Sequence, residues 1–271
     1  MKKLVILTAL LSVLVLATFL VSGCRVILVP KDGETEPGET ETRQYDFSEF
    51  TRVDIGNAFE YEIQQADTYS ISIIANNNVF DDINITQEGQ TLIIGMEIPG
   101  APWAIIKVYP RLKVVITMPQ LDGLDSSGAT HGTVSSFSST ENMDVIVSGA
   151  SSVELVKIST GGVAIDVSGS SKATGDIDAK NMQLEVSGAS TVQLKGSTDS
   201  MTADVSGSSS LKLADLEVGN ASVTLSGASN GTINLDGSLD AKLSGSSRLV
   251  YIGEPVLGTI DITGASTLKR K

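Results

Sequence analysis

Ile165-Asp166-Val167-Ser168-Gly169-Ser170-Ser171 is followed by Leu184-Glu185-Val186-Ser187-Gly188-Ala189-Ser190, and then by Ala203-Asp204-Val205-Ser206-Gly207-Ser208-Ser209. The same phrase extends in both directions. Its glycines are Gly128, Gly149, Gly169, Gly188, Gly207, Gly227, Gly245 and Gly264, spaced 18 to 21 residues apart. A nearly fixed period of this length is the signature of a solenoid. Two residues before each glycine stand Ser126, Val147, Val167, Val186, Val205, Leu225, Leu243 and Ile262. Four before stand Leu124, Val145, Ile165, Leu184, Ala203, Val223, Ala241 and Ile260, and the column between them is mostly polar. Period-two alternation at fixed register makes a strand with one face inward. Beyond the glycine a second strand follows, with apolar columns four and six residues on, such as Val192 and Leu194.

One coil of twenty residues is about 60 Å of extended chain, enough for two or three short strands and their corners. A single coil cannot bury its apolar face, but a stack can. The expected fold is therefore all-β, a single-stranded β-helix (β-solenoid) with coils of about twenty residues over 121–271. The residue after the glycine alternates between Ala and Ser from Ala150 onward, which leaves open a coil of about 39 residues carrying two corners. Glycine allows the positive φ of a sharp corner, and its small neighbours let corners approach. The hydroxyl residue before each glycine (Ser127, Ser148, Ser168, Ser187, Ser206, Ser226, Ser244, Thr263) is expected to form a hydroxyl ladder.

Residues 45–120 read as a separate β portion, packed on the stack or continuing it. Val53-Asp54-Ile55, Phe59 to Ile63 and Tyr69 to Ile73 alternate apolar and polar, Thr91 to Ile94 follows a turn signal, and Ile105–Val108 and Leu112–Thr117 flank Tyr109-Pro110-Arg111.

The first residues are an address. Lys2 and Lys3 precede an apolar run, Leu4 to Val21, and then Val21-Ser22-Gly23-Cys24. A charged start, an apolar core and small residues are the parts of a secretory signal. Small residues directly before the only cysteine of the chain resemble a bacterial lipobox. Residues 1–23 are thus read as a lipoprotein signal peptide and Cys24 as the lipid attachment site, placing the protein in the cell envelope, exported and lipid-anchored. Cleavage removes Lys2 and Lys3 and takes the net charge from -13 to -15. Residues 24–44, rich in Glu, Thr, Pro and Gly, cannot bury enough surface to offset ordering entropy and read as a flexible acidic tether.

Composition excludes several functions. One Cys and one His give no Cys/His metal site and no disulfide. Strong net acidity disfavours nucleic acid. The many serines lack a base other than His131, which sits at the first corner, and no catalytic motif is present. No cofactor and no catalytic residue is expected. Asp166, Glu185 and Asp204 share one outward column on consecutive coils. They are a candidate weak Ca²⁺ or ligand face, or simply a solvated acidic surface. Trp103, in Gly100 to Ile106, reads either as a docking aromatic or as buried packing that caps the open end of the stack. Lys269-Arg270-Lys271 blunt the edge of the last coil.

Phe50-x-x-Val53-x-Ile55-Gly56-x-x-Phe59-x-Tyr61-x-Ile63, Leu92-x-Ile94, Val115-Ile116-Thr117-Met118-Pro119-x-Leu121 and the Ser-Gly-Ala-Ser series resemble the bacterial auto-transporter adhesin head GIN domain family, over about Tyr45 to Lys271. The resemblance implies a secreted or surface-tethered β-solenoid-like domain, often lipid-anchored, without an established catalytic role. The expected function is a non-catalytic adhesin-like or envelope-interaction module presenting a polar β-solenoid face. The alternatives are a carbohydrate-active β-helix enzyme and a structural or regulatory lipoprotein. The expected partners are the membrane, through the N-terminal lipid, and a polysaccharide or another envelope protein. Oligomeric state is not readable from the sequence.

Overall fold

Alternation on both sides of each glycine becomes two strands joined by a tight corner. The computed structural model describes residues 38–97 and 112–271. The signal, Cys24, most of the tether and the Trp103 segment lie outside the described residues, as does the expected strand Ile105–Val108. Within the described residues all 19 strands join in one sheet.

The repeat begins with β8 (Gly123–Ser126) and β9 (His131–Ser135), then β10 (Asn142–Val147). Four long strands follow: β11 (Ser152–Val167), β12 (Lys172–Val186), β13 (Thr191–Val205) and β14 (Ser210–Leu225). Each long strand holds the second strand of one coil and the first strand of the next. All these neighbours are parallel, and Ser152 faces Lys172, which faces Thr191, which faces Ser210. Pairing runs from each repeat to the next one, so a coil is about twenty residues and the 39-residue alternative falls away. Both apolar columns point inward: Val147, Val167, Val186, Val205, Leu225 and Leu243 are all buried. Each such burial contributes roughly 1.5–3 kcal/mol. Ordering costs about 1–2 kcal/mol per residue for the backbone alone, which is why a coil needs neighbours.

The eight glycines lie in one line with positive φ. A Cβ on Gly188 would stand 2.4 Å from the Gly169 carbonyl oxygen. That oxygen accepts a hydrogen bond from Ala189 N–H at 2.8 Å. The corner therefore selects glycine twice, by backbone angle and by space. The hydroxyl ladder differs from expectation. It runs through the serine two residues after each glycine, not the one before. Ser151, Ser171, Ser190, Ser209, Ser229 and Ser247 are buried. The backbone N–H of Ser151 donates to Ser171 Oγ at 3.3 Å, and those of Ser171 and Ser190 donate to the next serine at 3.4 Å. The left-handed glycine shifts the alternation across the corner, turning the following serine inward.

The N-terminal portion continues the stack, out of chain order. β2 (Arg52–Ile55) and β3 (Glu60–Gln65) form a coil directly below β8 and β9. β6 (Thr91–Met96) and β7 (Leu112–Met118) lie on the other side of that coil, also parallel to it. Asn57, at φ 64, takes the place of the corner glycine, and its Oδ1 accepts Met96 N–H at 2.8 Å. Antiparallel strands then close this end. β4 (Ser70–Asn76) pairs with β7, β5 (Ile83–Glu88) pairs with β6, and β1 (Thr40–Tyr45) pairs with β4. Thr40 to Gln44, expected to belong to the flexible tether, are thus strand: an extended polar segment finds its backbone partners along β4.

Tyr61 accounts for one irregularity of the repeat. Ser126 and Gly132 stand in otherwise apolar inward columns. The buried Tyr61 ring fills the space over Gly132, where a Cβ would lie 1.9 Å from the ring. Its hydroxyl bonds Ser126 Oγ at 3.0 Å, and Ser126 Oγ meets Thr130 Oγ1 at 2.6 Å. Burial pushes the Tyr61 phenol well above its ordinary pKa, so it stays a neutral partner.

Candidate functional site

Two outward faces carry polar side chains. The first belongs to the strands before the corners. Register places Asp166 opposite Glu185 and Glu185 opposite Asp204, so the three expected acids do form one row. All three are exposed. The row extends past Ile146 to Asp125 and Asp54, which face each other. Asp54 escaped the sequence reading, although Val53-Asp54-Ile55 ahead of Asn57 copies the repeat phrase. Burial holds the Asp54 carboxyl above its ordinary pKa, with a smaller push from the Asp125 charge. Asp125 is raised in the same way, against the opposing pull of Arg52. Partial desolvation by its neighbours, slight because the side chain is exposed, and then the Glu185 charge raise Asp166. Arg52 reaches across Gly123 to Asp144 at 3.3 Å. Beside it, a notch of about 220 Å³ is lined by Arg52, Asp144, Ile146, Asp166 and Glu185. Among the described residues no group of three or more His, Cys, Asp and Glu side chains is placed to hold a metal ion.

The second face belongs to the strands after the corners, and it carries the larger hollows. Two adjoining cavities of about 350 and 420 Å³ share Glu154, Lys172 and Thr174. The first runs over β3, β7, β9 and β11 past Glu60, His131 and Thr133. The second continues over β12 and β13 to Gln193, Lys195 and Asp215. Lys113 pairs with Glu62 at 2.7 Å and Lys195 with Asp176 at 3.2 Å, fixing charges at the two ends. Exposed Lys172 and Glu154 stand in the middle. His131 is exposed, and its Nδ1 lies 3.3 Å from the Ala129 carbonyl. The ring is held by its own corner, and Glu60 stands opposite it on the neighbouring strand. Sequence reasoning missed this groove. Its lining comes from outward columns whose residue types change from coil to coil, so no repeated phrase marks it.

The sequence signature of the family described as "Putative auto-transporter adhesin, head GIN domain" matches residues 49–255. The chain belongs to this family. Among solved structures, it is similar to a "putative lipid binding protein" from Parabacteroides distasonis, at 20% identity and TM-score 0.75, covering 86% of this chain and 97% of that one. A "putative adhesin" from the same species gives 17% identity, TM-score 0.76 and coverage of 86% and 98%. A "putative adhesin" from Parabacteroides merdae gives 16%, TM-score 0.78 and coverage of 86% and 97%. At these identities the likeness is one of fold. No curated protein matches the chain. The head GIN family and its adhesin-like β-solenoid architecture are what the sequence resemblance implied. Among the described residues no helix is long and apolar enough to cross a membrane.

Proposed function

We propose that this chain is a lipid-anchored adhesin-like protein of the bacterial envelope, and that the groove centred on Glu154, Lys172 and Thr174 binds a surface glycan without catalysis. The observation that carries the reading is the pair of adjoining polar cavities on one exposed face. Hydroxyl, carboxylate, amide and ammonium groups recur there at the spacing of stacked strands, about 4.8 Å. Each hydrogen bond to a sugar hydroxyl contributes roughly 0.5–1.5 kcal/mol, so one chain binds weakly. Lipid-tethered copies side by side convert weak contacts into avidity. Membership of the adhesin family supports the same reading.

The test is a glycan array probed with the purified chain. Binding to a defined glycan class is expected, weakened at least about tenfold by Lys172→Glu or Glu154→Lys, which invert charge at the groove centre. Asp204→Asn, on the other face, should leave it unchanged. No bound glycan, or binding indifferent to both groove variants, would sink the proposal. Anchoring at Cys24 rests on Val21-Ser22-Gly23-Cys24 after the apolar run. Radiolabelled palmitate should enter the wild type and not Cys24→Ala.

A further inference from the structure

The stack ends in four strands: β16 (Ser238–Leu243), β17 (Arg248–Ile252), β18 (Val256–Ile262) and β19 (Thr267–Arg270). β18 pairs only with β16, and β19 only with β17. Their outer backbone edges are therefore unpaired in this structure. The inward columns lose their cover at the same step. Leu239 is 0% exposed and its partner Leu257 is 46% exposed; Leu243 is 0% and its partner Ile262 is 43%. Val256 reaches 72%, so three of the four exposed large hydrophobic side chains among the described residues sit on β18. Leu257 and Ile262 continue the inward columns of Leu239 and Leu243, and Val256, opposite the half-buried Ser238, adds an apolar side chain beside them. Lys269, Arg270 and Lys271 blunt only β19 and the residue after it, while β18 carries a single charge, Asp261.

We infer that this edge is a dimerisation surface, covered by the same edge of a second copy through a two-fold axis. Within the repeat these columns are covered by another coil, and a second copy supplies one of the same width and apolar pattern. Among the described residues, the outer strands β1 and β5 of the opposite end present no exposed large hydrophobic side chain. Coils wind in one sense, so neighbours within a chain are parallel. Turning a second chain end-to-end reverses that sense, and every facing strand becomes antiparallel, an equally allowed ladder. The contact is isologous and closes at two copies. Charge chooses the pairing. β18 against β18 would oppose two Asp261 side chains, and β19 against β19 two basic runs. β18 against β19 sets Asp261 beside Lys269 twice, on the outward face of each ladder, while Ile260, Ile262 and Leu268 continue the interior.

Sedimentation equilibrium of the full chain in density-matched detergent, over a dilution series, tests this. A dimer that dissociates on dilution is expected. Ile262→Lys, on an exposed side chain, should keep the wild-type melting temperature and raise the dissociation constant at least about tenfold. Asp261→Lys should weaken the dimer, and Lys269→Asp in the same chain should restore it. Slow amide exchange of β18 should appear only where the dimer does. A monomer at every concentration overturns the inference, and so does a dimer indifferent to Ile262→Lys. Failure of the charge swap overturns it too, as does β18 protection in a monomer, which would mean that something else covers the edge.

Discussion

The two halves of the stack reach the same cross-section by different means. In the repeat, chain order is stack order, every corner is a glycine, and each coil resembles the one before it. In the N-terminal half the coil of β2 and β3 is laid down first, then enclosed by β6 and β7 below and β8 and β9 above. Its corner is Asn57, its core holds Tyr61 in place of an aliphatic residue, and antiparallel strands close its outer end. The comparison teaches that a solenoid is specified by what lies above and below a position more than by the coil itself. Gly188 has backbone on one side at 2.4 Å from any Cβ. Asn57 keeps a side chain because Gly95 and Met96 below it leave room for its carboxamide, which caps Met96 N–H.

The sharpest break in that comparison is the corner itself. Gly188→Val adds positive-φ strain to a backbone overlap that nothing flexible can relieve, since the obstructing atoms are the Gly169 carbonyl. A loss of about 4 kcal/mol or more is expected, at the diagnostic end of single substitutions. Asn57→Ala, in the same column, should cost about 1–2 kcal/mol, for one side-chain hydrogen bond and a less tolerated φ. Chemical denaturation of the two variants side by side measures the difference. Equal losses would mean that the column is not one structural element.

That column was plain in the sequence because sterics leave glycine almost no substitute there. The inward aliphatic columns were equally readable, since burial on every coil tolerates only Val, Leu, Ile and Ala. Other features leave weaker traces. Ser168 and Ser171 look alike as letters, and only the left-handed turn between them decides which faces the core. The order of the N-terminal strands is hidden because β2, β6 and β8 share one alternating pattern and are interchangeable by pattern alone. β1 is held by backbone pairing along β4, and a polar stretch such as Thr40-Glu41-Thr42-Arg43 shows no apolar column to announce it. On the outside, selection for packing is absent. The acid row was visible because one residue type persists over three coils, whereas the groove around Lys172 is assembled from unlike residues.

Tyr61 sharpens the contrast within the core. Tyr61→Phe keeps the ring over Gly132 but removes the partner of Ser126 Oγ, leaving the Ser126–Thr130 pair with one bond fewer in a buried site. A loss of about 1–2 kcal/mol is expected from a calorimetric melt. Val192→Ala, at the matching inward column of the repeat, should cost more, about 2–3 kcal/mol, because it opens a cavity between packed coils. The order of the two losses separates a polar seam from an aliphatic one.

The smallest effect concerns the acid row, where the N-terminal half is again the exception. Asp54 is half-buried against Asp125, whereas Asp166, Glu185 and Asp204 stand in solvent. Burial is the larger cause of the raised Asp54 pKa, with the Asp125 charge second. A carboxyl that holds its proton more tightly when folded favours the native state below its unfolded pKa, near 3.9. That favour is lost as pH rises through the higher folded value, and at pH 7 the ionised group carries the full penalty. Asp54→Asn removes the titration, so it should stabilise the protein at pH 7, by about 0.5 kcal/mol once solvent screening is allowed for. The gain should shrink as pH falls through the raised range and vanish below about pH 4. Melting temperatures at pH 4 and pH 7 for wild type and Asp54→Asn decide the matter. A destabilised Asp54→Asn at pH 7 would show that the carboxylate is held by contacts stronger than its desolvation.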